Sequence, residues 1–170
     1  FWAGISIQDI NKKLIFIVPT GNFGNIFAGY AAHKMGLPVQ KFIVASNENN
    51  ILTRYLNTGN MTALDVKPTI APSMDIQISS NFERLIFDVY NQNGTSVREA
   101  MNNFRTTNSI RFSEESWETI CDLFHGFSAN DQLIKETILN FYETQGELID
   151  PHTATGIAAS FENKNNTDNN

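Results

Sequence analysis

The stretch "LIFIVPTGNFGNIFAGYAAHKMGLPVQKFIVASNEN" constrains the fold more than any other part of this chain. Residues 14–18 form a continuous apolar run closed by Pro19, which predicts a short strand buried on both faces of a parallel sheet. A turn containing Gly21 and Gly24 follows. Between residues 25 and 35, Ile26, Phe27, Tyr30, Ala31 and Met35 share one helical face, and Gly36 with Pro38 ends the helix. Residues 42–45 predict a second buried strand. Strand, tight turn, helix and strand within about 30 residues make a βαβ unit, whose crossover is right-handed in nearly all cases. The two strands then run the same way. The loops after them, "PTGNFGN" and "SNENN", open on one edge of the sheet, where open parallel sheets bind ligands.

Beyond "SNENN" the pattern turns helical. Ser80 with Glu83 reads as a capping box ahead of Phe82, Leu85, Ile86, Val89 and Tyr90, a helix ending at Gly94. Ser96 with Glu99 repeats the device ahead of Val97, Ala100, Met101 and Phe104. Ser113 opens a third helix with Trp117, Ile120, Cys121 and Phe124 on one face and Glu114 and Glu115 at its positive end. A fourth spans about 129–144, with Leu133, Ile134, Ile138, Phe141 and Tyr142 inward and Gly146 as terminator. The prediction is an α/β protein, a partial three-layer α/β/α fold with one βαβ unit followed by several helices. Its remaining strands are expected in sequence outside this chain. Residues 1–161 form that partial domain, and the polar run at residues 162–170 predicts a disordered tail.

A length of 170 residues suits one domain with a core. The start on Phe1 and Trp2, without Met or a basic leader, is read as part of a longer polypeptide. A net charge of -6 argues against a nucleic-acid partner, because nonspecific affinity for phosphate backbones comes from Lys and Arg. No apolar run approaches the roughly 18 residues that span a bilayer, so no membrane partner is expected. Cys121 is the one cysteine, which excludes an internal disulfide and zinc spacing; it fits a reducing, cytoplasmic setting and reads as inert core.

Two glycines at i and i+3 between a strand and a helix let backbone N–H groups converge where the positive end of the helix points, the geometry of a phosphate site. No Lys-Ser or Lys-Thr follows, which excludes the nucleoside-triphosphate loop, and the spacing is not G-x-G-x-x-G. On spacing alone, glycines that merely permit a tight turn are an equal alternative.

The residues add more than the spacing. "VPTGNFGNIFAGYAAHKMGLPVQKFIVASNENN", "APSMDIQISSNFERLIFDV" and "GELIDPHTATGIAAS" together resemble threonine synthases, pyridoxal-phosphate enzymes of the tryptophan synthase β fold type (fold type II). The resemblance runs from Phe1 to about Ser160 and does not extend past Phe161. It implies a lyase of threonine biosynthesis that converts O-phospho-L-homoserine and water to L-threonine and phosphate. It also implies that Gly21, Asn22, Phe23, Gly24 and Asn25 cradle the cofactor phosphate, largely through backbone N–H groups. Thr153, in "DPHTA", takes the place of the hydroxyl that meets the pyridine nitrogen, with Thr155 as the alternative. A neutral hydroxyl partner leaves that nitrogen largely unprotonated. Read without the resemblance, Thr153 could simply cap the helix after Pro151.

Other residues carry less. His152 beside Thr153 is either a site residue or a hydrogen-bonded turn residue, while His33 and His125 lack ligand spacing and read as surface or helix-end residues. Asn47, Glu48 and Asn49 lie at the ligand edge or cap the next helix, and the block Ser73, Met74 and Asp75 reads as a loop packed on the cofactor domain. In relatives, the lysine that holds the cofactor as a Schiff base lies upstream, in an apolar stretch followed by Lys-Asp. None of Lys12, Lys13, Lys34, Lys41, Lys67, Lys135 and Lys164 has that setting, so the catalytic lysine is expected outside this chain and the chain alone is expected to be inactive. No metal site is predicted. Two other readings remain open at this point. One is a serine or threonine dehydratase of the same fold type, against which stand Asn22 and Phe23 where those relatives carry more glycines. The other is a noncatalytic remnant or binding module.

Overall fold

The computed structural model describes residues 1–7 and 12–168, with side chains as far as residue 164. After a short helix α1 (Trp2–Ser6), strand β1 (Leu14–Pro19), helix α2 (Gly24–Lys34) and strand β2 (Val39–Ser46) form the predicted βαβ unit. β1 and β2 pair in parallel, with Phe16 opposite Phe42 and Pro19 opposite Ala45. A third parallel strand, β5 (Phe124–Ser128), lies on the far side of β2, giving the order β1-β2-β5.

β2 is the centre of the molecule, and period-2 alternation explains why it reads as one apolar run. Phe42 and Val44 face a cluster with Phe23, Ile26, Tyr55, Phe82, Leu85, Ile86 and Phe124. Ile43 and Ala45 face a second cluster with Ala71, Met74, Phe127, Ile134, Ala154 and Ala158. The first side is covered by α2, α3 (Ile51–Thr58), α4 (Phe82–Val89), α5 (Gly94–Thr107) and α6 (Glu114–Cys121). The second is covered by α7 (Asp131–Gln145) and α8 (Pro151–Asp168). The result is the three-layer α/β/α arrangement predicted. The hydroxyl of Tyr30 on α2 and the Lys34 ammonium, at 3.0 Å, both meet Asp88 on α4 and fasten these two helices; the Tyr30 hydroxyl, first among these contacts, holds the Asp88 carboxyl below its ordinary range.

Several expectations are corrected. Phe124 does not continue the helical face of α6; it starts β5, and a two-stranded antiparallel ribbon, β3 (Asn60–Thr62) with β4 (Ser109–Arg111), is also present. Gly126 hides β5 from propensity reasoning, yet it is what lets the strand lie against α3, where a Cβ would come within 2.7 Å of Thr53 Cα. Gly94 begins α5 instead of ending α4, and the cap of α5 is Asn93, whose side chain accepts from Thr95 N and Ser96 N, not Ser96. Ser80 does not cap α4, whose N-cap position is Asn81. Ser113 caps α6 as expected, and Gly146 closes α7 at φ 74°. Met35, Leu133 and Tyr142 point outward, because each sits past the edge of its helix's buried stripe. The strand β1 is only half-buried, since it lies at the end of the sheet order rather than inside it. α8 carries on through residue 168, so the described part of the predicted tail is helical; elongating an established helix costs far less than nucleating one. Residues 169–170 of that tail lie outside the described residues.

Candidate functional site

Because the three strands are parallel and in register, Pro19, Ser46 and Ser128 end on one edge. Two further bonds extend the ladders there, Thr20 N to Ala45 O at 2.7 Å and Ala129 N to Ser46 O at 2.9 Å. The glycine turn is built on this edge.

Phe23 holds the turn in place. Its backbone is left-handed at φ 64°, an unfavourable conformation for a side-chain-bearing residue, and its ring is buried edge-on to Phe82 at 5.2 Å and tilted to Phe124 at 5.7 Å. Burial of a phenyl ring, worth about 1.5–3 kcal/mol, offsets the roughly 1–2 kcal/mol of left-handed strain. Phe23 is also the N-cap position of α2, and it offers no side-chain acceptor to the first N–H groups of the helix.

The two glycines do different jobs. A Cβ at Gly21 would stand 3.2 Å from Ser73 O and 3.3 Å from Met74 Cα, so this glycine exists for the close approach of the turn at Pro72–Met74. A Cβ at Gly24 would meet only Asn81 Nδ2, at 3.5 Å, an ordinary contact. Nothing in the described fold requires Gly24 to lack a side chain.

The neighbours of the turn bond its carbonyl oxygens and leave its N–H groups alone. Ser79 Oγ donates to Gly21 O at 2.9 Å, and Asn81 donates to Asn22 O from both its backbone N, at 3.1 Å, and Nδ2, at 3.0 Å. Ser80 Oγ reaches Asn22 Oδ1 at 3.4 Å. Among the described residues, no acceptor meets the N–H groups of residues 21–26, and no acidic residue stands in the first turn of α2. Saturated acceptors beside converging free donors, at the positive end of a helix, suit a phosphate-like anion.

Opposite this turn stands the start of α8. Gly156 packs on Pro19, its Cβ position 3.1 Å from Pro19 Cγ, which brings the first turn of α8 to the end of β1. Asp150 caps the helix: Oδ1 accepts from His152 N at 2.9 Å and Thr153 N at 3.2 Å, and Oδ2 accepts from Thr153 Oγ1 at 2.5 Å. Thr153 is thus capped, not the cap. These bonds, the Thr153 hydroxyl first among them, bring the Asp150 carboxyl down to about 2. His152 Nε2 accepts from Ser73 N at 3.2 Å, which leaves the ring proton on Nδ1, 3.1 Å from Asp150 Oδ1. Ser73 therefore touches both Gly21 and His152 and joins the two walls. Thr155, the alternative hydroxyl, is fully buried and bonded to Pro151 O at 2.9 Å, so it faces away from solvent.

Asn47, Glu48 and Asn49 do not cap α3, whose N-cap position is Asn50. Asn47 and Asn49 are buried and converge on Asp75, Nδ2 to Oδ1 at 2.7 and 2.9 Å, and Thr69 adds Oγ1 at 2.7 Å and its backbone N at 2.9 Å. This hub pins residues 67–77 over the end of β2. Beside it a cleft of about 600 Å³ runs past Glu48, Asn50, Lys67, Gln77, Ser128 and Asn130. Lys67 lies there, 3.5 Å from Glu48. His33 bonds Leu37 O at 3.2 Å and His125 is exposed on β5, while Cys121 donates to Leu56 O at 3.3 Å, all outside the site.

Sequence reasoning brought the glycine turn and the start of α8 together and read Asp75 only as part of a packed loop, not as a hub; it missed Ser79, Asn81 and Asp150. Asp followed by Pro at the start of an apolar helical pattern was the one available signal, for Asp150.

No family model matches the chain. Whole-protein comparison finds similarity to the threonine synthase of Pseudomonas aeruginosa, 42% identical over 95% of this chain and 34% of that protein. The threonine synthase of Saccharomyces cerevisiae is 40% identical over 88% of this chain and 32% of its own length. Among solved structures, the pyridoxal-phosphate-bound threonine synthase of Brucella melitensis superposes with a TM-score of 0.92 at 39% identity, over 95% of this chain and 35% of that one. The chain spans about a third of the length of the curated relatives it matches. Along nearly its whole length, then, the chain is homologous to threonine synthases.

Proposed function

We propose that this chain supplies two facing walls of a pyridoxal-phosphate site in a threonine synthase acting on O-phospho-L-homoserine, with L-threonine and phosphate as products. The observation that carries the reading is the turn at residues 21–25, whose carbonyl oxygens are bonded while its N–H groups have no partner among the described residues. That donor set fits a phosphate dianion, and Gly24 leaves open the space a Cβ would fill. When bound, the cofactor supplies an electron sink for substrate carbons.

The residues of this chain bind and orient. The N–H groups of Gly21, Asn22, Phe23, Gly24 and Asn25 hold the phosphate, while the buried Phe23 ring fixes where they point. Thr153, at the start of α8, faces the ring nitrogen from the other wall, and the Ser73–His152 bond sets the distance between the walls. On this reading the proton-moving lysine lies outside this chain: Lys12 and Lys13 are exposed ahead of β1, Lys41 lies within β2 away from its site edge, Lys34 pairs with Asp88, Lys67 with Glu48, and Lys135 and Lys164 sit on the exposed sides of α7 and α8.

A titration comparing pyridoxal phosphate with pyridoxal tests the reading. Tighter binding of the phosphate form, with competition by inorganic phosphate, is expected. Equal affinity for the two forms would remove the turn from the site.

A further inference from the structure

The hydroxyl of Thr153 has one proton, and the fold has already assigned it. Thr153 Oγ1 lies 2.5 Å from Asp150 Oδ2, within the range of about 2.5–2.7 Å for a hydroxyl donating to a carboxylate. The opposite polarity is closed, because an ionised carboxylate only accepts. Oδ1 of the same carboxylate is occupied by His152 N, Thr153 N and His152 Nδ1, so Asp150 cannot rotate without breaking the start of α8. Thr155, one half-turn on, donates backwards to Pro151 O, whereas Thr153 is exposed and has only lone pairs left to offer.

We propose that Asp150 is a positioning residue that makes Thr153 a hydrogen-bond acceptor, so that a ring nitrogen facing Thr153 carries its own proton. This rests on the reading above, in which Thr153 faces the ring nitrogen of pyridoxal phosphate. The chain of bonds is nitrogen N–H to Thr153 Oγ1, then Thr153 O–H to Asp150 Oδ2. The proton on nitrogen comes from solvent, and its positive charge is balanced by a carboxylate one hydroxyl away. A hydroxyl taken alone points to an unprotonated nitrogen; the same hydroxyl backed by Asp150 points to a protonated one, which strengthens electron withdrawal by the ring. The ionised state of Asp150 at neutral pH agrees with its lowered titration.

The test uses the whole enzyme containing this segment, loaded with pyridoxal phosphate carrying ¹⁵N in the ring, and reads the ring-nitrogen resonance. Asp150→Asn keeps a good N-cap, since Asn and Asp cap equally well, but replaces Oδ2 with a donor. Thr153 then accepts from that amide and turns its own proton outward. The expected result is a protonated nitrogen in the parent enzyme and an unprotonated one in Asp150→Asn, with helix content unchanged. An unprotonated nitrogen in the parent, or an unmoved resonance in Asp150→Asn, overturns the proposal. Thr153→Val separates the two claims: if it shifts the resonance while Asp150→Asn does not, Thr153 faces the ring and only the role of Asp150 fails. If Thr153→Val leaves the resonance in place, or no cofactor binds, the underlying site reading fails and takes this inference with it.

Discussion

Ser79 donates its hydroxyl to the carbonyl oxygen of Gly21 at 2.9 Å, across 58 positions of sequence. Through this bond and those of Asn81, the segment before α4 holds the glycine turn by its carbonyl oxygens, so the N–H groups stay available without the turn being loose. Ser79→Ala leaves Gly21 O without that donor. The expected loss is about 1 kcal/mol of stability, read by urea unfolding, together with weaker phosphate binding. Unchanged binding would mean that the turn holds its shape without help.

The two glycines separate packing from ligand contact. Gly21→Ala pushes a methyl against Ser73 O and Met74 Cα and is expected to destabilise the chain by about 1–3 kcal/mol. Gly24→Ala has room and helical backbone, so it is expected to leave stability unchanged or raise it by up to about 1 kcal/mol. It nevertheless lowers phosphate affinity by filling the space at the turn. Thermal unfolding and a phosphate titration on the two variants check both halves.

How much of this was legible beforehand depends on the range of each interaction. The βαβ unit shows in sequence because Phe42, Val44 and their neighbours on β2 form a continuous buried apolar run and β1 a half-buried one, and the turn shows because glycine has few other uses there. Asp75 carries no such signal: its partners Asn47, Asn49 and Thr69 become neighbours only after the chain folds back over β2. β5 was hidden because Gly126 answers to Thr53, a contact 73 positions away, instead of to strand propensity. The caps at Asn93 and Ser113 differ for the same reason in miniature, since Ser96 and Ser80 were equally good candidates by local pattern and only backbone geometry decides between them.

Asp75→Ala tests the hub. It removes an acceptor from buried Asn47 and Asn49 and from two groups of Thr69, and the expected cost is about 3 kcal/mol in urea unfolding. Faster amide exchange should appear in residues 67–77 before the sheet. A uniform effect across the chain would argue against a local pin.

The hydroxyl of Tyr55 is buried without a partner among the described residues, ringed by Phe82 and Phe112, and its burial raises the phenol's titration well above the ordinary range. Tyr55→Phe relieves an unsatisfied polar group and is expected to stabilise the chain by up to about 1–3 kcal/mol. A loss of more than about 1 kcal/mol would show that the hydroxyl has a partner in solution.

Asp150 gives a defined acid response. Its folded-state carboxyl titrates at about 2, below the ordinary 3.8, so the capping contribution is fully present above about pH 4 and is lost as the pH falls through 2. Amide exchange at His152 and Thr153 should therefore quicken relative to the rest of α8 across that window. In Asp150→Asn the same window should be flat.

The central claim is that the N–H groups of the glycine turn hold a phosphate. The most direct measurement is the amide ¹H–¹⁵N spectrum of the ¹⁵N-labelled chain as inorganic phosphate, then pyridoxal phosphate, is added. The account predicts saturable displacements concentrated at residues 21–26, induced by both ligands. Resonances of residues 21–26 that stay in place while others move would contradict it.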